Sequence, residues 1–191
     1  MRHTFVILSL FVITLMGYAQ DEKKIIKKNI ERNRKIDNKR SYNYFLLDMV
    51  KDADAIYSEY EDLVQQVWDK KIEKDMKNTS SLSIQKINAL SNIITDVAVY
   101  KGGGDYQKTV LTYLDAINEN LKALEDYVVL GADTNVRADE YYKSGRLFDE
   151  KVNNKIEKRN LVRQEKSLYE KTFYMETKKK ISLNYGIECR R

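Results

Sequence analysis

The residue types that carry most protein chemistry are almost missing from this chain. Its one histidine is His3 and its one cysteine is Cys189. Imidazole is the commonest general base and the commonest metal ligand. His3 lies in a leader-like segment, and without it a Ser-His-Asp or Cys-His relay, a cysteine–histidine zinc site and the Glu-x-x-His di-iron site of helical bundles all lack their parts. Carboxylates are plentiful, as at Glu59, Glu61 and Asp62 or at Glu119, Glu125 and Asp126. A glycosidase needs two of them in the right geometry, but the same spacings make an ordinary solvated helix face. No aspartate-rich calcium loop of the EF-hand type occurs. Gly102-Gly103-Gly104 is followed by Asp105-Tyr106 rather than by the Lys-Ser/Thr of a P-loop. An acidic residue at that place suits a helix cap, not a phosphate cradle. The sequence thus offers no catalytic residue, no metal ligand and no cofactor site, and the chain reads as a non-enzyme.

What remains is charge and aromatic surface. Residues 21–40 carry nine Lys or Arg against four Asp or Glu, and residues 171–191 carry six against two. The chain as a whole is formally +5, so the body between these segments is net acidic. A basic end is drawn to phosphate-bearing surfaces, whether anionic lipid or lipopolysaccharide. Lys178, Lys179, Lys180, Arg190 and Arg191 are the candidate contacts; the plainer reading is that lysines keep exposed helices soluble. Of the 14 tyrosines, Tyr141-Tyr142, Tyr100 and Tyr106 could stack on sugars or anchor a partner. Core and boundary packing accounts for most of them, and Trp68 reads as a packing residue.

These groups must be positioned by helices. The chain has no proline and only 7 glycines, too few for the turns of a sandwich or barrel. Met1-Arg2-His3, the apolar run Phe5–Met16 and Gly17-Tyr18-Ala19 have the layout of a secretory signal peptide over residues 1–19. The run holds 12 residues, short of the ~20 that span a bilayer. Cleavage would remove the only histidine and leave one thiol, Cys189, unable to form an internal disulfide.

Residues 20–40 form a basic arm with only four apolar side chains, Ile25, Ile26, Ile30 and Ile36. From Ser41, apolar residues recur at steps of three and four (Tyr42, Phe45, Leu46, Met49, Ala53, Ile56, Tyr60, Leu63, Val67), one face of a helix reaching about Met76. Hydroxyls in Lys77–Ser81 can cap a second helix over about Leu82–Tyr100. The glycines end that helix, and Asp105 is placed to cap a third, carrying Val110, Tyr113, Leu114, Ile117, Leu121, Leu124 and Val128, which Gly131 stops. A long fourth helix runs from about Asn135 to Lys180. One apolar stripe on it is Tyr141, Phe148, Val152 and Ile156; a second is Leu161, Leu168 and Met175.

Short connections between four helices predict an all-α, antiparallel up-down-up-down bundle over 41–180, with 181–191 as a tail. Its long first and last helices are expected to project together as a two-helix stalk. An apolar strip exposed on that stalk would favour a homodimer.

Tyr42-Asn43 opening the first helix, Tyr100-Lys101-Gly102-Gly103-Gly104-Asp105 at the middle turn, Gln164 followed by Phe173, and the leader ending at Ala19-Gln20 resemble a family of small exported helical surface proteins and lipoproteins known from Bacteroidetes and spirochaetes. The resemblance covers about 135 of the 191 residues. It implies a helical bundle in the cell envelope and brings no activity, cofactor or catalytic residue. The lipid-bearing cysteine of some such proteins is missing here. The expected function is that of an exported interaction or spacer module, periplasmic or surface-exposed. Its partner would be an anionic lipid or lipopolysaccharide surface, or another envelope protein. Nucleic acid is not expected as a partner, because export and an acidic body argue against it. The alternative is a carrier holding a small apolar or lipid ligand between the helices, which requires an interior cavity of ligand size.

Overall fold

A computed structural model describes residues 36–185, with side chains through Ile181. The expected leader, residues 20–35 of the basic arm, Cys189, Arg190 and Arg191 lie outside the described residues. From Asp37 onward the described residues form one compact unit. The described residues hold four helices and no strand: α1 (Lys39–Trp68), α2 (Ser80–Asp96), α3 (Gly104–Ala132) and α4 (Ala138–Tyr185). The protein is an all-α helical bundle.

Cross-helix bonds fix its direction of travel. Lys39 at the start of α1 meets Glu176 late in α4, and Lys151 of α4 meets Glu119 of α3. Tyr60 of α1 meets Thr79 before α2. Consecutive helices are therefore antiparallel. The α1 and α3 helices also pack directly on each other, with α2 against one side of the pair and α4 against the other.

The apolar faces read from the sequence make the core of the first three helices. Leu46, Met49, Val50, Ala53, Ile87, Leu90, Ile94, Val110, Leu114, Ile117 and Leu121 are sealed from water. Burial of such side chains stabilises by about 1.5–3 kcal/mol each.

The helix ends depart from expectation for local reasons. The α1 helix starts with an Asn38–Ser41 capping box and stops at Trp68, short of Met76, because Lys70 turns into the left-handed region (φ 56°). Met76 is still buried, from a loop. Thr79 precedes α2 but does not cap it; its hydroxyl bonds the Met76 carbonyl instead.

The caps of α2 come from α3. Glu125 accepts the Asn78 and Ser80 N–H groups at 3.0 and 2.6 Å. Gln107 donates to the Ile94 and Val97 carbonyls at the other end, at 2.5 and 3.1 Å. Helix α3 thus clamps its 17-residue neighbour at both ends with two buried polar side chains.

Asp105 likewise does not cap α3; it sits in the first turn, after Gly103. A Cβ on Gly103 would run into the Tyr42 ring and the Tyr100 carbonyl, so this glycine lets the turn close on α1. Gly131 does not stop α3 either. It lies within the helix, where a side chain would press on Tyr141 and Trp68.

The largest correction concerns α4. The stripe Leu161, Leu168, Met175 faces solvent, and Ile156 is exposed as well. The buried residues are Val162 and Tyr169, one step on. The inward face of α4 runs Val152, Lys155, Arg159, Val162, Lys166, Tyr169, Phe173, with bases at apolar positions. Helix α4 continues about 14 Å past Glu176 to Tyr185, so residues 181–185 are helical rather than tail. The half of the expected stalk that residues 20–35 would supply lies outside the described residues.

Candidate functional site

Three segments distant in sequence meet where α1 begins. The Tyr100 hydroxyl donates to the Asp37 carbonyl at 3.2 Å, tying the α2–α3 turn to the start of α1. Gly102 takes a positive φ of 75° there, which glycine adopts without the strain that a side chain brings. The α4 helix completes the third wall. Lys39 donates to Glu176 at 2.7 Å and to the Thr172 hydroxyl at 3.3 Å. Beneath, a cluster of tilted and edge-on rings holds the walls together: Tyr42 lies 5.9 Å from Tyr169 and 6.3 Å from Tyr100, and Tyr169 lies 6.2 Å from Phe173. Burial pushes the Tyr42 phenol up to about 12, against a lowering contact with the Tyr100 backbone. It stays neutral.

Between the walls is a cleft of about 420 Å³, lined by Lys39, Arg40, Tyr100, Lys101, Phe173, Glu176 and Lys180 among others. Four cations face one carboxylate. The Lys39 bond holds the Glu176 carboxyl below the usual glutamate range, and the charges of Lys39, Lys180 and Lys101 act in the same direction. The first turn of α1 adds the positive end of a helix dipole.

Of the five basic residues expected at this end, the structure brings one, Lys180, into the cleft. Lys178 and Lys179 are exposed but turned away from it: one residue turns a helix through about 100° and two through about 200°, so Lys178 lies on nearly the opposite face of α4. Arg190 and Arg191 lie outside the described residues. Lys39, Arg40 and Lys101 were not among the candidates. The signal for them was topological: an up-down bundle places the α1 start, the α2–α3 turn and the α4 end together, so a lysine in that turn joins the basic end.

A second constellation lies midway along the bundle. Asp54 accepts from the Tyr113 hydroxyl at 2.5 Å and from Arg159 at 2.8 Å. The Tyr57 hydroxyl bonds Asn120, and the Lys155 ammonium lies 3.2 Å from the centre of the Tyr57 ring. Burial raises both phenols and lowers Lys155. Neither described cleft reaches these residues. Their hydrogen bonds and ring contact join α1, α3 and α4, which is a packing role.

At the far end, Tyr127 stacks on Tyr141 and Phe148 beside a half-exposed Trp68. Tyr142 is exposed there. Around the α3–α4 hairpin, Val129, Leu130, Leu147, Asp126, Glu140 and Lys143 line an open groove of about 790 Å³.

Among the described residues no group of three His, Cys, Asp or Glu is arranged to hold a metal ion, and no helix is long and apolar enough to cross a membrane. No family model, no curated protein and no solved structure matches the chain.

Proposed function

We propose that this protein is a non-enzymatic, exported interaction or spacer module of the cell envelope, and that its basic end rests on an anionic, phosphate-bearing surface. The observation that carries the reading is the gathering of Lys39, Arg40, Lys101 and Lys180 at one end of the bundle, with Lys178 and Lys179 exposed on other faces of the same turn of α4. Like charges from three segments repel one another, so an external anion stabilises the arrangement. The leader-like first 19 residues and the resemblance to exported helical surface proteins support the envelope location. The acidic body would keep the rest of the bundle off the same surface, leaving it to display helix faces.

A carrier of an apolar ligand needs a cavity among the core side chains. Both described clefts open at the surface and have charged side chains in their walls, so they favour the first reading.

The test is cosedimentation of the full chain with phosphatidylcholine vesicles with and without phosphatidylglycerol. Binding is expected only to the anionic vesicles, at low salt. It should weaken steeply when the Debye length shrinks from about 30 Å to about 8 Å, and should be lost when Lys178, Lys179 and Lys180 are all changed to Glu. Binding that ignores both salt and this charge reversal would reject the reading.

A further inference from the structure

We propose that the cleft at the α1 start is a discrete site for a phosphate monoester dianion, and that the Glu176 carboxylate is its resident counter-ion, which the ligand displaces. This rests on the basic-end reading but asks more of it: a shaped site rather than a diffuse patch.

The argument starts from the imbalance of charge. Lys39, Arg40, Lys101 and Lys180 line the cleft with one carboxylate, Glu176, which bonds Lys39 and feels the charges of Lys180 and Lys101. The two partners of the central ion pair are unequal in freedom. The Lys39 side chain is 12% exposed, whereas that of Glu176 is 59% exposed. Lys39 is held between α1 and α4 and cannot easily follow its partner outward. Glu176 sits on a rotatable stem at the helix surface and can swing into water at little cost. An anion entering the cleft then takes over the Lys39 ammonium and adds contacts with Arg40, Lys101 and Lys180.

The number of donors selects the ligand. A phosphodiester carries one negative charge on two free oxygens, which one or two cations satisfy. A monoester offers close to two charges and three strong acceptor oxygens, matching several converging cations. Arg40 can bind it bidentately. Tyr100 and Phe173 line the same cleft and give the organic part of the ester an apolar wall. At about 420 Å³ the cleft has the volume of a small-ligand site. A lipid headgroup and a free phosphate share this chemistry.

The experiment titrates the full chain with inorganic phosphate by calorimetry at low ionic strength. Vesicles carrying phosphatidic acid, a monoester, or phosphatidylglycerol, a diester, at matched surface charge form the parallel arm. Saturable one-to-one phosphate binding is expected. Glu176→Gln should tighten it by about threefold to tenfold, and Arg40→Glu with Lys101→Glu should weaken it at least about tenfold. Asp105→Asn removes the same charge from an exposed position outside the cleft and should change affinity by less than about twofold. Preference for phosphatidic acid identifies a lipid headgroup as the source; phosphate binding without that preference identifies the free anion. Phosphate binding that fails to saturate, or that Asp105→Asn and Glu176→Gln strengthen equally, overturns the site. If anionic vesicles still bind in that case, the basic-end reading stands alone. If neither phosphate nor any anionic vesicle binds, both are gone.

Discussion

The two sides of the α1–α3 pair are built from different materials. Towards α2 the interface is hydrocarbon, with Leu46, Met49, Ile87, Leu90, Ile94 and Leu114 closed to water. Towards α4 it is a seam of phenols, carboxylates and bases: Asp54, Tyr57, Tyr113, Lys155 and Arg159, with Val162 and Tyr169 as the buried apolar contributions of α4. Both sides hold helices in place. The first does so by removing area from water without regard to direction. The second does so by pairing particular atoms, and its lysine and arginine stems cover the rings that a leucine would otherwise cover. A bundle can therefore carry a helix whose inward face scores as polar.

The comparison is tested most severely by truncation. Leu114→Ala should cost about 3 kcal/mol, a cavity in a filled core, and Val162→Ala about 1–2 kcal/mol. Leu168→Ala, on the solvent side of α4, should cost less than about 0.5 kcal/mol. Urea unfolding of the three variants reads all of them. A Leu168 penalty equal to that of Leu114 would mean that α4 is rotated from the orientation described.

The same contrast explains what could be read from the sequence. Hydropathy at steps of three and four located the faces of α1, α2 and α3, because their inward residues are aliphatic. On α4 it selected Tyr141, Phe148 and Val152, which are partly buried, but also Ile156, Leu161, Leu168 and Met175, which face solvent, whereas the inward positions beyond Val152 hold Lys155, Arg159 and Lys166 beside Val162 and Tyr169. Periodicity has no means of counting a lysine laid on a tyrosine ring as a core residue. The caps of α2 were hidden for a related reason. Local rules look for a hydroxyl within a few residues of the helix start, but Glu125 and Gln107 come from another helix. For the cleft, composition marked the basic segments 21–40 and 171–191, which hold Lys39, Arg40 and Lys180, but the meeting of three segments was needed to single these out and to add Lys101.

Glu125 offers an intermediate effect on the oily side, where it and Gln107 are buried polar exceptions. Burial pushes its carboxyl up, but hydrogen bonds from the Ser80 N–H and hydroxyl, from Lys122 and from the Asn78 N–H outweigh this and leave it below the ordinary glutamate range. A carboxylate lowered on folding stabilises the fold fully above its unfolded value. That contribution is lost as pH falls through the lowered folded value. Glu125→Ala strands two N–H groups at the α2 start and should cost about 2 kcal/mol at neutral pH. Its stability curve should also run flatter than wild type on the acid side, because the lost contribution can no longer titrate away. A variant that keeps the full acid slope would show that another carboxylate governs it. Hydrogen exchange should place the loosening at residues 78–84, the end of α2 that Glu125 holds.

A smaller effect than that of Glu125 separates the two materials most directly. Asp54 and Arg159 are bonded across the seam at 2.8 Å but remain partly open to water, so their coupling in a double-mutant cycle should be about 0.5–1 kcal/mol. Lys155 tests the other half of the seam. Its ammonium lies on the Tyr57 ring, and burial lowers its proton affinity. The charge therefore gains a cation–π contact and loses hydration at the same position. Lys155→Met keeps a flexible stem over the ring and removes both terms, so stability should change by less than about 1 kcal/mol in either direction. Lys155→Ala uncovers the ring and should cost more than Lys155→Met by about 1 kcal/mol. If the methionine variant is instead the worse of the two, the ammonium rather than the stem holds α4 to α1. The seam would then be electrostatic at its centre and should weaken in high salt while the α2 side does not.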